Sequence, residues 1–373
     1  MMINVTEPFL PPIDELLPYL SDIWGSKRVS NNGELAKALE VALCQRLGVS
    51  ECSATNNGTS ALMAGLAALD LQGEVVTTPF SFVASVHAIK WSGLTPVFAD
   101  IDPMSLTLDA SAVEQAITAK TSAILAVNVY GRPCQFGALA DLARRHGLKL
   151  IYDSAHAFGV EDELGTVLRH GDLNIMSFHA TKVFHTLEGG AVISNDRALK
   201  ARVDRIRNFG FESELQVSEL GLNAKLNELQ AAVGLLNLKY LAACIDQRKR
   251  VHAGYRQRLN PVEGIVIPEF PAGYRTNYAY FPIFVTDAYP IGRDDLHSTL
   301  EKAGVLSRRY FFPLLSDIPM YKSHPSAAAD RLPAAQQAAR TVLCLPMHVN
   351  VTDEQIDKIC ACIAAPLEST WAC

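Results

Sequence analysis

The chain has 373 residues and a formal net charge of −6, with 49% of positions apolar and 19% charged. That balance supports a large buried core, excludes a disordered or collagen-like chain, and offers no bulk positive charge with which to grip nucleic acid. No apolar run approaches the roughly 20 residues that cross a bilayer, and the opening Met1-Met2-Ile3-Asn4-Val5-Thr6-Glu7-Pro8 has neither a basic nor an apolar leader segment, so a cytoplasmic protein without a membrane partner is expected.

Pro8, Pro11, Pro12 and Pro18 make residues 1–30 read as an irregular arm. A helical period follows in Leu35, Leu39, Leu43 and Leu47, closed by Gly48. Gly58-Thr59-Ser60 opens a small-residue helix over 61–69. Then come a strand over 74–78, a helix over 83–91, a strand over 96–99, a helix over 111–117, a strand over 123–127, a helix over 136–146 and a strand over 149–152. Short apolar strands between amphipathic helices predict an α/β fold with a mostly parallel sheet covered on both faces. Two more strands, over 173–178 and 191–194, bracket an unusual stretch, and a long helical pattern covers 226–243. The composition turns richer in Pro and Arg near Asp246, which predicts a large domain over 31–245 and a smaller α/β domain over 246–373. The eight cysteines, Cys44, Cys52, Cys134, Cys244, Cys344, Cys360, Cys362 and Cys373, contain no Cys-x-x-Cys pair and are read as structurally neutral.

In such sheets ligands sit beyond the carboxyl ends of the strands, and three features fall there. Asn57-Gly58-Thr59-Ser60 stands at a helix start, where free N–H groups and the helix dipole favour a phosphate; taken alone it equally suits an ordinary cap. Asp153 closes the apolar run Lys149-Leu150-Ile151-Tyr152, either as a carboxylate facing the crevice or as a loop acid. Lys182 ends Ser177-Phe178-His179-Ala180-Thr181-Lys182, ahead of Leu187-Glu188-Gly189-Gly190. A lysine just after a buried strand would have its pKa lowered by desolvation, making the amine a nucleophile for a carbonyl. No Gly-x-Ser-x-Gly elbow, Gly-x-Gly-x-x-Gly fingerprint or Walker loop is present. His179 and His185 belong to no metal-ligand pattern, so no metal is expected and both are read as pocket support.

The order of these parts decides among the separate readings. A phosphate cradle, an acid at a strand end and a reactive lysine further on are what pyridoxal 5'-phosphate requires: donors for its phosphate, a carboxylate that keeps its ring nitrogen protonated, and an amine for its Schiff base. A charge-assisted hydrogen bond of the second kind contributes roughly 1.5–3 kcal/mol.

On these residues the sequence resembles the DegT/DnrJ/EryC1/StrS family of sugar aminotransferases. The likeness is carried by Asn57-Gly58-Thr59-Ser60-Ala61-Leu62, Pro79-Phe80-Ser81-Phe82-Val83-Ala84, Pro96-Val97-Phe98-Ala99-Asp100-Ile101-Asp102, Asp153-Ser154-Ala155-His156, the tract 177–190 and Gly221-Leu222-Asn223-Ala224-Lys225-Leu226-Asn227-Glu228. The resemblance implies the pyridoxal-phosphate-dependent transferase fold of type I, with the cofactor in the large domain. Residue by residue, it implies that Lys182 forms the Schiff base, Asp153 partners the ring nitrogen, Phe82 stacks on the ring and His156 approaches the ring hydroxyl. Gly58, Thr59 and Ser177 would hold the phosphate, and Asn223 would reach the phosphate of a neighbouring subunit, implying a homodimer with shared active sites. Phe82 equally suits a core position, and Lys225 stands where many members have Arg.

The resemblance further implies ping-pong transfer of an amino group from glutamate to a nucleotide-linked keto-deoxysugar, with Lys182 moving the proton. The variant Ser-Phe-His-Ala-Thr-Lys followed by Glu-Gly-Gly is similar to members that aminate C4 of dTDP-4-keto-6-deoxyglucose. Arg308, Arg309 and Tyr310 resemble the substrate-side loop, with a solvated basic turn as the alternative. Other possibilities are a transaminase of a 3-keto sugar nucleotide or an aminocyclitol, a sugar dehydratase, against which Lys182 itself speaks because histidine replaces it there, and a non-catalytic regulator.

Overall fold

A computed structural model describes residues 2–370; Met1 and residues 371–373, Cys373 with them, lie outside the described residues. Strands β1 (Glu51–Thr55), β2 (Glu74–Thr77), β3 (Thr95–Phe98), β4 (Thr121–Val127) and β5 (Lys149–Asp153) are followed by a small ribbon, β6 (Glu161–Asp162) and β7 (Gly165–Thr166). Then come β8 (Leu173–Ser177) and β9 (Gly190–Ser194), a second ribbon, β10 (Phe211–Ser213) and β11 (Gln216–Val217), and finally β12 (Ile265–Val266), β13 (Phe281–Val285) and β14 (Val342–Leu345). The main sheet has seven strands in the order β1-β9-β8-β5-β4-β2-β3. Its pairs are parallel from β3 to β8, and β9 runs antiparallel to both its neighbours.

Alternation along the central strands supplies both faces of this sheet. Val75, Leu125, Ile151, Ile175 and Val192 join one apolar cluster, while Val76, Ala126, Tyr152, Met176 and Ile193 join the other. Helices cover each side, so every central strand is buried twice over, as a parallel sheet requires. The mostly parallel α/β expectation therefore holds.

Three local expectations need correction. The arm over 1–30 contains the helix α1 (Ile13–Ser26), with Pro12 at its N-cap position, Asp14 and Glu15 in its first turn and Pro18 inside it. Strand β1 precedes the first strand read from sequence. The long helix runs from Glu228 to Leu259 rather than ending near 243, and Arg248 is buried within it. Its start carries a capping box, Asn227 accepting from Gln230 N–H at 2.9 Å while the Gln230 side chain returns to the Asn227 N–H. Buried Glu228 reaches back to the helix α2 (Glu34–Leu47), where its carboxylate accepts the N–H groups of Leu35 at 2.9 Å and Ala36 at 3.0 Å.

Beyond this helix the antiparallel sheet β12-β13-β14 forms a third apolar cluster with Tyr255, Leu296 and Ile359. The seven described cysteines are free. Among the described residues no helix is long and apolar enough to cross a membrane.

Candidate active site

At the carboxyl ends of the parallel strands lies a cavity of about 310 Å³, lined among others by Gly58, Thr59, Phe82, Asp153, His156, Ser177 and Lys182. All but one of the cofactor-side residues singled out from sequence thus meet in one place. Helix α3 (Gly58–Ala68) presents its first turn to the cavity, with Asn57 as its cap accepting the Ser60 N–H at 2.8 Å. The N–H groups of Gly58 and Thr59 are the orphan donors that a helix start leaves. A Cβ at Gly58 would lie 2.9 Å from the Ser177 Cβ, so helix and strand close to form this cradle only because residue 58 has no side chain. Gly190 does the same from β9, where a Cβ would come within 2.7 Å of the Asn57 carbonyl carbon.

Asp153 is buried at the end of β5. Its Oδ2 accepts from Ser85 Oγ at 2.7 Å, its Oδ1 from the Ala155 N–H at 3.2 Å, and Ser81 Oγ lies 3.0 Å behind Ser85 Oγ. Since Ser85 gives its proton to the carboxylate, Ser81 donates to Ser85. Burial pushes the Asp153 pKa up, opposed by these hydrogen bonds and by the Lys182 charge.

Lys182 follows β8 in a loop closed by Phe178 N–H to Gly189 O at 2.8 Å and Thr186 N–H to Phe178 O at 2.9 Å. Burial pushes its amine pKa down to about 8, with Asp153 acting the other way. Near neutral pH a useful fraction of the amine is therefore uncharged and nucleophilic, which an exposed lysine does not offer.

His156 is buried, and burial followed by the Lys182 charge holds its pKa well below the usual histidine value. The Tyr130 backbone N–H donates to its Nδ1 at 3.0 Å, so the neutral ring carries its proton on Nε2. Phe82 is 59% exposed at the cavity, a ring face free to stack rather than core filler. His179 lines the cavity, its Nδ1 2.7 Å from Thr181 Oγ1. His185 instead lies buried against Phe9, whose carbonyl its Nε2 contacts at 2.8 Å.

Tyr310 lines the cavity, whereas Arg308 and Arg309 do not. Arg309 donates to Asp294 at 2.8 Å and lies over the Phe312 ring, while Arg308 is exposed, its backbone bridged to Cys344. Asn223 is exposed and outside this lining, beside Asn208 in an antiparallel bridge. Sequence reasoning missed Ser85 and Tyr280, and gave Phe311, which also lines the cavity and follows the substrate-side stretch Arg308-Arg309-Tyr310, no role of its own; Tyr280 left a trace, as a polar aromatic in the crowded run Asn277-Tyr278-Ala279-Tyr280 ahead of a strand.

The arrangement offers a nucleophilic amine, a buried carboxylate, an exposed ring face and an anion cradle around one space. A family model described as the DegT/DnrJ/EryC1/StrS aminotransferase family matches residues 13–364. The chain is 45% identical over 362 residues to a dTDP-4-amino-4,6-dideoxy-D-glucose transaminase of Shigella dysenteriae, covering 97% of this chain and 98% of the relative. It is also 45% identical to an Escherichia coli protein of the same description, covering 96% of each. Among solved structures, DesI in the presence of its TDP-sugar product superposes with a TM-score of 0.93 at 35% identity, covering 99% of this chain and 95% of DesI. With sequence, fold and cavity in agreement over nearly its whole length, the chain belongs to the DegT/DnrJ/EryC1/StrS aminotransferase family.

Proposed function

We propose that this aminotransferase uses pyridoxal 5'-phosphate to move the amino group of glutamate onto C4 of dTDP-4-keto-6-deoxyglucose, making dTDP-4-amino-4,6-dideoxyglucose. The observation that carries the reading is the joining of Lys182, with its lowered pKa, and buried Asp153 at one cavity with the α3 cradle. The names of the two relatives at 45% identity support the choice of sugar.

The residues fit the cofactor. The N–H groups of Gly58 and Thr59, with the Ser177 hydroxyl, would hold its phosphate, Asp153 would pair with its ring nitrogen, Phe82 would cover one ring face, and His156 would approach its ring hydroxyl. When bound, the cofactor supplies an electron-withdrawing ring that stabilises the charge left as the α-proton departs. Lys182 supplies the nitrogen that holds the cofactor, then takes and returns the proton as general base and acid, for which a pKa near the working pH is suited. Asp153, kept from water by burial and aligned by Ser85, keeps its charge directed at one point.

On the substrate side, Tyr310 would meet the sugar. Exposed Arg308, which has no carboxylate partner among the described residues, is the cation available to the diphosphate, while Arg309 is engaged by Asp294. We further infer a homodimer with shared sites, in which Asn223 serves the neighbouring phosphate. Leu215 and Leu220, 99% and 95% exposed, and the half-exposed Phe209 and Phe211 stand close in sequence to Asn223, a set of exposed apolar residues that suits a second copy.

The test is incubation with ¹⁵N-glutamate and a panel of 3-keto and 4-keto dTDP-, UDP- and GDP-sugars, read by product mass and NMR. The expected product is the C4 amine of the dTDP sugar carrying ¹⁵N. Label at C3, or only on another nucleotide's sugar, overturns the substrate assignment. Lys182→Ala should stay folded and lose turnover; a native rate would remove its assigned role.

A further inference from the structure

Tyr280 has no part in the chemistry above, yet its hydroxyl touches two of that chemistry's polar groups. It stands just before β13, on a segment clamped to the loop that carries His156. Buried Asn277 makes the clamp: its Nδ2 donates to the carbonyls of His156 at 2.8 Å and Phe158 at 2.9 Å, and its Oδ1 accepts the Ala279 N–H at 3.0 Å. At Gly131, whose φ is +80°, a Cβ would lie 2.9 Å from both Asn277 Oδ1 and His156 O, so the clamp closes only over a glycine. A segment nearly a hundred residues from Lys182 is thereby held rigidly against it.

The clamp sets the Tyr280 hydroxyl 3.3 Å from Lys182 Nζ and 3.2 Å from His156 Nε2. Among the described residues, that hydroxyl is the only hydrogen-bond partner of the Lys182 amine. His156 Nδ1 is occupied by the Tyr130 N–H, so Nε2 holds the proton and offers it to the Tyr280 oxygen. The phenolic proton is then left to face Lys182. Burial pushes the Tyr280 pKa up, so the phenol keeps its proton and can donate to a neutral amine or accept from an ammonium. The tether persists in both states of the lysine. The Tyr280 ring also lines a second cavity, of about 520 Å³, and so stands as a wall between that space and the amine.

We propose that Tyr280 is the positioning residue for Lys182: its hydroxyl, itself aligned by His156, holds the amine at the point from which it attacks a carbonyl and carries a proton. The proposal rests on the amine-transfer function assigned to Lys182. A misplacement of about 1 Å in a reacting group can cost on the order of a hundredfold in rate.

The test is Tyr280→Phe, which keeps the wall and removes the tether. Apoprotein is mixed with pyridoxal 5'-phosphate, quenched with borohydride at timed intervals, and the Lys182 peptide weighed by mass spectrometry. The trapping rate should fall about tenfold, and kcat of the holoenzyme about 10- to 100-fold, with KM for glutamate and keto-sugar changed less than about threefold. Tyr280→Met, which also lacks the hydroxyl, should behave alike. Tyr278→Phe, a neighbouring ring packed on His252 outside the first cavity, should match the wild type. Trapping and turnover at wild-type rates in Tyr280→Phe overturn the proposal, as does a lowered melting temperature with unchanged kcat per folded molecule. A wild type that neither traps at Lys182 nor transfers an amine overturns the amine-transfer function itself.

Discussion

Replacing Lys182 by methionine keeps an unbranched stem in place and deletes a cation that the fold holds at a cost. Burial lowers the amine pKa from 10.5 to about 8, while the unfolded chain leaves it at its ordinary value. Below pH 8 both states are protonated and the folded state bears the whole penalty. Between pH 8 and 10.5 the unfolded state binds the extra proton, so wild-type stability rises with pH through that window and the penalty is gone above it. At about 1.4 kcal/mol per unit, the shift from 10.5 to about 8 corresponds to about 3 kcal/mol. Lys182→Met apoprotein should therefore be more stable than wild type by about 2–3 kcal/mol at pH 7, and the gain should shrink to near zero by about pH 10.5. Urea melts of both apoproteins at matched concentration and several pH values measure it, since the titrations that Lys182 does not touch cancel in the difference. A variant less stable at pH 7, or a gain that does not change between pH 7 and 10.5, would refute the reasoning.

Other perturbations follow from single contacts. Ser85→Ala removes the 2.7 Å donor to Asp153, so the carboxyl pKa should climb further and the acid limb of the kcat/KM profile should move up by about one pH unit; superimposable profiles would deny the link. Gly58→Val should drive α3 from Ser177 and weaken cofactor binding at least about tenfold by fluorescence titration, about 1.4 kcal/mol, whereas an unchanged Kd would show that the cradle tolerates a side chain. Glu228→Gln should weaken the capped start of α2 by about 0.5–2 kcal/mol; a urea midpoint equal to wild type would count against its two backbone hydrogen bonds.

The alternating body of the fold was legible because β2 to β5 are short apolar runs with amphipathic helices between them, a pattern local in sequence. Strand β1 was not: Glu-Cys-Ser-Ala-Thr has one β-branched residue, and its place is set by pairing with β9, far along the chain. Helix α1 was hidden by its prolines, and only Ile23 in it is buried, so packing leaves little trace in its sequence. The long helix outran its expected end because the run of charged residues beyond Asp246 breaks its apolar period, although Arg248 there is an interior residue hydrogen-bonded to Met347 O at 2.8 Å. At the site, Asp153 and Lys182 announced themselves at strand ends. Ser85 and Tyr280 did not, since they meet those residues across 68 and 98 positions, and no local pattern encodes such a meeting. Arg309 shows the converse, a basic residue in the right segment whose guanidinium is held by Asp294.

The span of 98 residues between Lys182 and Tyr280 has a consequence during synthesis. At about 5–20 residues per second, the amine leaves the ribosome roughly 5–20 seconds before the hydroxyl that holds it. Throughout that interval the nascent lysine meets the aldehydes of the cell as an untethered side chain. On the proposed role of Tyr280, full reactivity comes when the late-made segment docks, and a truncated polypeptide ending before residue 277 would carry the nucleophile without its alignment.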